Sequence, residues 1–279
     1  LSHLEKAVAY MSSAAIQVDE EFLKKAPSLK IIGSPSTGTD HLDLKLIKQK
    51  NIIMYDISKE YSLIRKFTAT SELAFGLMLS LVRNIYSAQQ DVFKGIWSRE
   101  KHYGFQLFGK TLGIIGMGRL GNISARIANG FGMKVIAFDP FVKKNKIAHM
   151  VDFIDLLKKS DIVTLHLHLT KKTEGLIGLT ELKSMKRSSI IVNTSRGKII
   201  DEGALLYALQ NKEIAGAGLD VVDGEWLNET ELKNHALIKY SKSHANLLIV
   251  PHIGGSTVES INLARIFMAK KIKTFLEKY

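Results

Sequence analysis

The chain has no cysteine. That excludes disulfides, thiolate metal sites and cysteine nucleophiles, and it fits a reducing cytoplasm, the expected compartment. Long apolar runs are also lacking. The stretch Leu73 to Val82 falls well short of the roughly 20 residues that a membrane-spanning helix needs, so no membrane partner is expected. There is no secretory signal, tandem repeat or low-complexity tract. The first residue is leucine rather than methionine, so the natural start is expected to be missing.

A formal net charge of +12 raises the question of nucleic acid. No basic run is interleaved with aromatics, however, and no nucleic-acid motif is present. The lysines are scattered, as in Lys24-Lys25, Lys143-Lys144 and Lys270-Lys271, on faces expected to be solvated. Such a surface attracts anionic ligands. A hydrophobic share of 46% with 24% charged residues over 279 positions is ordinary for a globular protein, and two domains are expected.

What is present begins with Gly116-Met117-Gly118-Arg119-Leu120-Gly121. The run Thr111 to Ile115 before it reads as a buried strand, and Asn122 to Asn129 after it has helical spacing at Ile123 and Ile127. A second strand-like run, Lys134 to Phe138, ends on Asp139. This is the strand–turn–helix–strand–acid layout of a dinucleotide site. Gly116 turns the chain out of the strand, Gly118 lets a pyrophosphate approach the backbone, and Gly121 lets the helix pack on the sheet. The helix start offers free N–H groups and partial positive charge to the phosphates. Asp139 accepts from ribose hydroxyls and repels a 2′-phosphate, which favours NAD over NADP.

Strands and helices alternate elsewhere, implying an α/β doubly wound fold. Ala7–Met11, Leu29–Gly33 and Asn51–Asp56 read as strands, with helices at Asp19–Ala26 and Leu42–Lys50. One long helix is expected from Thr68 to Phe93, residues 60–67 as a crossing loop, and a last helix from Thr257 to Tyr279 that returns to the first domain. A mainly parallel sheet takes strands around Leu112, Lys134, Asp161–Leu165, Ser189–Val192, Gly218–Val221 and Leu247–Val250.

Three separate segments each put one reactive side chain just beyond a strand: Arg196 after Val192, Glu225 after Val221, and His252 after Val250. In an open parallel sheet the ligand crevice lies outside those carboxyl ends. Each residue has a plainer reading: a surface arginine, a solvated loop acid, and a histidine that caps the following helix. Thr194 and Asp220 read equally as strand-end residues satisfying local backbone. His166 and His168 alternate along one strand, as a metal pair or as a loop wall beside the cofactor, with no third ligand nearby.

In order and spacing, Ser160–His166, Asn193–Gly197, Gly218–Val221 and Pro251–Thr257, together with the glycine turn, resemble the NAD-dependent D-2-hydroxyacid dehydrogenase family. Ser36-Thr37-Gly38-Thr39-Asp40 resembles that family's substrate-side loop. The resemblance runs from about residue 7 to the end. It implies two doubly wound parallel-sheet domains: a Rossmann domain at 65–254 and a smaller flavodoxin-like substrate domain at 1–64 and 255–279, truncated at its amino end.

It further implies His252 as general acid/base, Glu225 supporting its charged form, and Arg196 on the substrate carboxylate or carbonyl. Backbone at Ser36, Thr37 and Gly38 would hold a small 2-hydroxy or 2-keto acid. NAD would be contacted by Gly116, Gly118, Arg119, Leu120, Gly121, Asp139, Leu167, Thr194, Ser195, Asp220, Gly254, Gly255 and Thr37. A homodimer is implied, and Gly95-Ile96-Trp97 resembles a feature near the subunit contact, unless Trp97 packs under the long helix.

The chain departs from the family pattern in three places. The family's usual first strand and helix do not appear in it. The substrate domain is therefore expected to lack a strand and expose an apolar face, unless the sequence is a fragment or something else covers that face. Trp226 stands where proline commonly follows the glutamate, and His168 where a proline is usual. NAD(H)-binding transcriptional corepressors share the fold and the Arg–Glu–His set, so a binding protein is the alternative to an enzyme.

Overall fold

The computed structural model describes residues 3–13, 15–226 and 228–278, apart from the Glu229 side chain. The expected domain ends at residues 1 and 279, and Tyr279 of the last helix, lie outside these. The chain divides into two compact units, Leu1–Phe67 with Gly255–Tyr279, and Thr68–Gly254. The first change-over falls after Phe67 rather than at residue 64, because Ile64 and Phe67 both join an apolar cluster of the smaller unit.

The smaller unit runs β1 (Ala9–Met11), α1 (Glu20–Lys25), β2 (Ile31–Gly33), α2 (Leu44–Gln49), β3 (Ile53–Tyr55) and α3 (Tyr61–Ile64). The three strands are parallel and lie in the order β1-β2-β3. Asp19 and Asp43 start the two longer helices, accepting the Phe22 and Leu46 N–H groups at 2.9 Å each. Side chains alternate across β2. Ile32 packs with Phe22, Leu23 and Ile47, while Ile31 packs with Ile57, Ile64 and Met268 of the helix Val258–Leu276. Helices therefore cover both faces of the sheet. Along the edge strand β1, Ala9 and Met11 join Ile272 and Leu276 in an open apolar groove. Residues 61–64 form a helix where a loop is expected; a single turn carries too few residues to show a period.

The larger unit begins with α4 (Ala69–Val82) and α5 (Ile85–Phe93). The single helix expected here is broken. Asn84 takes a left-handed φ of 53°, and the Phe105 N–H occupies the Val82 carbonyl at 3.0 Å. A returning segment thus takes the acceptor that the helix would need to continue. α4 is buried at Ala74, Phe75, Leu77 and Met78, whereas α5 has no buried residue.

Alternation follows: β4 (Thr111–Ile115), α6 (Arg119–Gly130), β5 (Lys134–Phe138), β6 (His149–Met150), α7 (Phe153–Lys159), β7 (Ile162–Leu165), α8 (Leu179–Ser184), β8 (Ile190–Asn193), α9 (Glu202–Gln210), β9 (Gly216–Leu219), α10 (Glu229–Asn234), α11 (Ala236–Ser241) and β10 (Leu247–Ile249). The chain then returns to the smaller unit as α12 (Val258–Leu276). All seven strands are parallel, in the order β10-β9-β8-β7-β4-β5-β6. Apolar residues cover both faces: Leu156, Ile177, Leu182 and Leu205 belong to one cluster, and Phe75, Met78, Ala125 and Ala128 to the other. The two-residue strand β6 is too short to be read from a pattern. No described helix is long and apolar enough to cross a membrane.

Candidate active site

The larger sheet reverses its strand order between β4 and β7. Ligands of open parallel sheets bind outside the carboxyl ends of the strands at such a reversal. The glycine turn leaves β4 at this point. Gly116 has φ 97°, and a β-carbon on it would lie 2.3 Å from the His166 carbonyl oxygen. A β-carbon on Gly121 would lie 2.0 Å from the Gly116 carbonyl oxygen. No side chain fits at either point. Around Gly118 the space is open, with nothing within 4 Å of such an atom. α6 starts directly after it with no side-chain cap, the arrangement in which helix-start N–H groups suit an anion. Asn122 braces the turn, its Nδ2 donating to the Met117 and Gly118 carbonyls at 2.8 and 2.9 Å. Burial pushes the half-buried Arg119 guanidinium below its ordinary value.

Asp139 follows β5 immediately. Its two oxygens accept the Met117 and Phe141 N–H groups, each at 2.8 Å, which fixes the carboxylate beside the turn. A carboxylate oxygen keeps a further lone pair for a hydroxyl donor. Leu167 lies over Gly116. Ser195 ties two strand ends together, its Oγ donating to the Leu165 carbonyl at 2.7 Å and accepting the Leu167 N–H at 3.1 Å. Thr194 is buried, and its Oγ1 has no partner among the described residues. An open glycine, a helix start without a side-chain cap, a fixed acid and an orphaned buried hydroxyl together fit a dinucleotide.

β8, β9 and β10 are neighbours, and Arg196, Glu225 and His252 follow their carboxyl ends. His252 sits at a left-handed φ of 51°. Asp220, 1% exposed, imposes that corner. Its carbonyl accepts the His252 N–H at 2.8 Å, and its carboxylate oxygens accept the Ile253 and Gly254 N–H groups at 2.6 and 2.9 Å. Burial pushes the Asp220 carboxyl up, against those two N–H bonds. His252 Nδ1 lies 2.9 Å from Glu225 Oε1, with side chains 30% and 15% exposed. The bond assigns the hydrogen to Nδ1 and leaves Nε2 for a substrate. Glu225 Oε2 is buried without a partner among the described residues. The Trp226 ring lies 5.6 Å from the imidazole, tilted by 32°. Arg196 is half-buried on extended backbone, and its Nη1 donates to the Ser195 carbonyl at 2.7 Å.

The helix-capping reading of His252 does not hold, since Thr257 caps α12. β7 ends at Leu165, so His166 and His168 do not share a strand face. His166 Nε2 lies 2.9 Å from Ser124 Oγ and 3.3 Å from Thr164 Oγ1. Its Nδ1 is buried without a partner, and burial pushes the imidazole down to about 4. Among the described residues no three potential metal ligands cluster. Ser36, Thr37, Gly38 and Gly255 belong to the smaller unit, where Ser36 Oγ accepts the Gly38 N–H at 3.1 Å. Trp97 does not pack under a helix: it is 90% exposed. Asn122 and Ser124 carry no signal in the sequence, because each acts through a backbone atom or a fold-dependent neighbour; for Asp220 the structure shows the backbone-supporting role, on residues 253 and 254.

Residues 75–254 match the family model described as D-isomer specific 2-hydroxyacid dehydrogenase, NAD binding domain, and residues 1–63 match that family's catalytic domain. The chain belongs to the D-2-hydroxyacid dehydrogenase family, and its larger unit carries the NAD-binding domain. It is 37% identical to a glyoxylate reductase of Thermococcus litoralis over 99% of this chain and 82% of the relative. It is 35% identical to a D-3-phosphoglycerate dehydrogenase of Methanocaldococcus jannaschii, covering 99% of this chain and 51% of that one. The chain thus spans about half the length of the phosphoglycerate dehydrogenases that it matches. Among solved structures, the D-lactate dehydrogenase of Aquifex aeolicus with NAD and lactic acid superimposes with a TM-score of 0.85 at 31% identity, over 99% and 85% of the two chains.

Proposed function

We propose that the chain interconverts a small D-2-hydroxy acid and its 2-keto acid with NAD(H). The observation that carries this reading is the His252–Glu225 pair at 2.9 Å, on a strand end of the sheet that holds the dinucleotide turn. Bound NAD supplies the hydride acceptor, and NADH the donor. His252 Nε2 takes the C2 hydroxyl proton as C2 gives up hydride, and returns it to the carbonyl oxygen in the reverse direction. Glu225 holds the ring by Nδ1 and opposes its positive charge. Arg196 binds the carboxylate or the carbonyl through its planar fork and balances charge on oxygen. Relatives that match most of this chain, a glyoxylate reductase and a glycerate dehydrogenase, support a small acid.

The test is loss of nicotinamide absorbance with NADH and a panel of glyoxylate, hydroxypyruvate, pyruvate and 2-oxoglutarate. Turnover of at least one is expected. NADH binding without turnover of any would replace the enzyme with an NAD(H)-binding regulator. We also assign a second copy of the chain to α5, which exposes Ile85, Val92 and Phe93 at 52%, 45% and 73% beside Trp97. Light scattering checks this: a dimer is expected, and Trp97→Asp shifts it toward monomer.

A further inference from the structure

The larger unit contains a second histidine–carboxylate pair that hydride transfer does not use. Glu202, the first residue of α9, meets His235, between α10 and α11, at 3.0 Å from Oε2 to Nε2. The two side chains are 20% and 12% exposed. Both also hold a single residue. Glu202 Oε1 accepts the Asp223 N–H at 2.7 Å, and His235 Nε2 lies 3.2 Å from the Asp223 carbonyl oxygen. Among the described residues His235 Nδ1 is buried without a partner, and Nε2, which faces both oxygens, carries the hydrogen that they accept. Burial pushes the Glu202 carboxyl up in spite of these bonds. Buried ion pairs of this kind are often replaceable by well-packed apolar residues without loss of stability. What the pair adds is a fixed direction for the peptide groups of Asp223.

That direction matters because of what stands on it. Gly224, at φ 74°, separates Asp223 from Glu225. On its other side, the Val222–Asp223 peptide is in contact with Gly197: a β-carbon there would lie 2.2 Å from the Val222 carbonyl carbon and 2.3 Å from the Asp223 nitrogen. Gly197 follows Arg196. One peptide therefore supports both the arginine loop and the root of the Glu225 turn.

We propose that Glu202 and His235 are positioning residues, a clamp on the Asp223 peptide groups that sets the aim of Glu225 and Arg196 together. The proposal rests on the reading of those two as substrate-site residues. His235→Leu and Glu202→Ala lower kcat for keto-acid reduction by about tenfold to a hundredfold, the range for small displacements of reacting groups. NADH affinity, read by fluorescence titration, stays at the wild-type level, because the glycine turn lies elsewhere. His235→Gln restores most of the rate, since its amide nitrogen reaches both acceptors.

A His235→Leu protein with wild-type NADH affinity and wild-type kcat overturns the clamp, as does an equal loss in the Leu and Gln variants. Should the Leu variant fail to fold, hydrogen exchange on the wild-type protein decides. The Asp223 amide is expected to exchange slowly, and exchange at the rate of an open loop overturns the proposal. Failure of the parent reading shows differently, as an undiminished rate in His252→Ala whatever the His235 variants do.

Discussion

The dinucleotide turn and the His252 corner lie in one sheet but are built by opposite means. At the turn, missing atoms do the shaping: Gly116 and Gly121 leave no room for a β-carbon, and Gly118 stays open. At the corner, side chains from distant segments hold the backbone, as Asp220 holds Ile253 and Gly254 while Glu225 holds the imidazole. A site made by local omission tolerates few substitutions within a short stretch. One made by reach depends on residues that lie far away along the chain.

Four experiments sharpen or break this contrast. His252→Ala, the largest effect, removes the proton-transfer group and lowers kcat by about 10² to 10⁴, the ordinary range for such a group. NADH affinity stays unchanged; retained turnover would remove His252 from the acid/base role. Gly121→Ala places a carbon 2.0 Å from the Gly116 carbonyl oxygen. Overpacking of this kind costs about 1–3 kcal/mol, so the NADH dissociation constant rises about tenfold to a hundredfold. Unaltered binding would show that the turn relaxes freely.

His166, under the turn, ties that region to pH. Its folded value of about 4 lies below the ordinary 6.5, so the unfolded chain takes up a proton that the native ring refuses between those values. Stability is therefore complete above about pH 6.5 and is lost as pH falls toward 4. By pH 5 the loss attributable to this group reaches about 2 kcal/mol. Urea midpoints at pH 7 and 5 check it: His166→Gln is expected to narrow the difference, and an identical difference contradicts the assignment. The smallest effect is Asp139→Ala. It weakens NADH by about tenfold, as expected for loss of charge-assisted hydrogen bonds, and narrows the preference over NADPH. An unaltered cofactor ratio would take Asp139 out of that role.

The same contrast explains what was legible beforehand. The Gly116–Gly121 turn stands out because its constraint is local and shows as missing side chains. The buried strands β4, β7 and β8 stand out as β-branched runs. The break at Asn84 was not legible, because the group that stops α4 is the N–H of Phe105, well beyond any helical window. Reading Asp220 by its neighbours left it between cofactor contact and backbone support. Its bonds to Ile253 and Gly254 appear only when β9 and β10 lie side by side. Glu202 and His235 were invisible for the same reason. Each looks like a surface residue until α9 and the 223–226 turn are brought together.

The smaller unit is interrupted in sequence, and this bears on how the chain is made. Met268 and Ile272 of α12 share an apolar cluster with Ile31 and Ile64, some two hundred residues earlier in the sequence. A ribosome releases residues 68–254 as one uninterrupted stretch, able to collapse as soon as it emerges, since domains generally fold as units during synthesis. The early strands must wait for α12 until residues 68–254 have been translated.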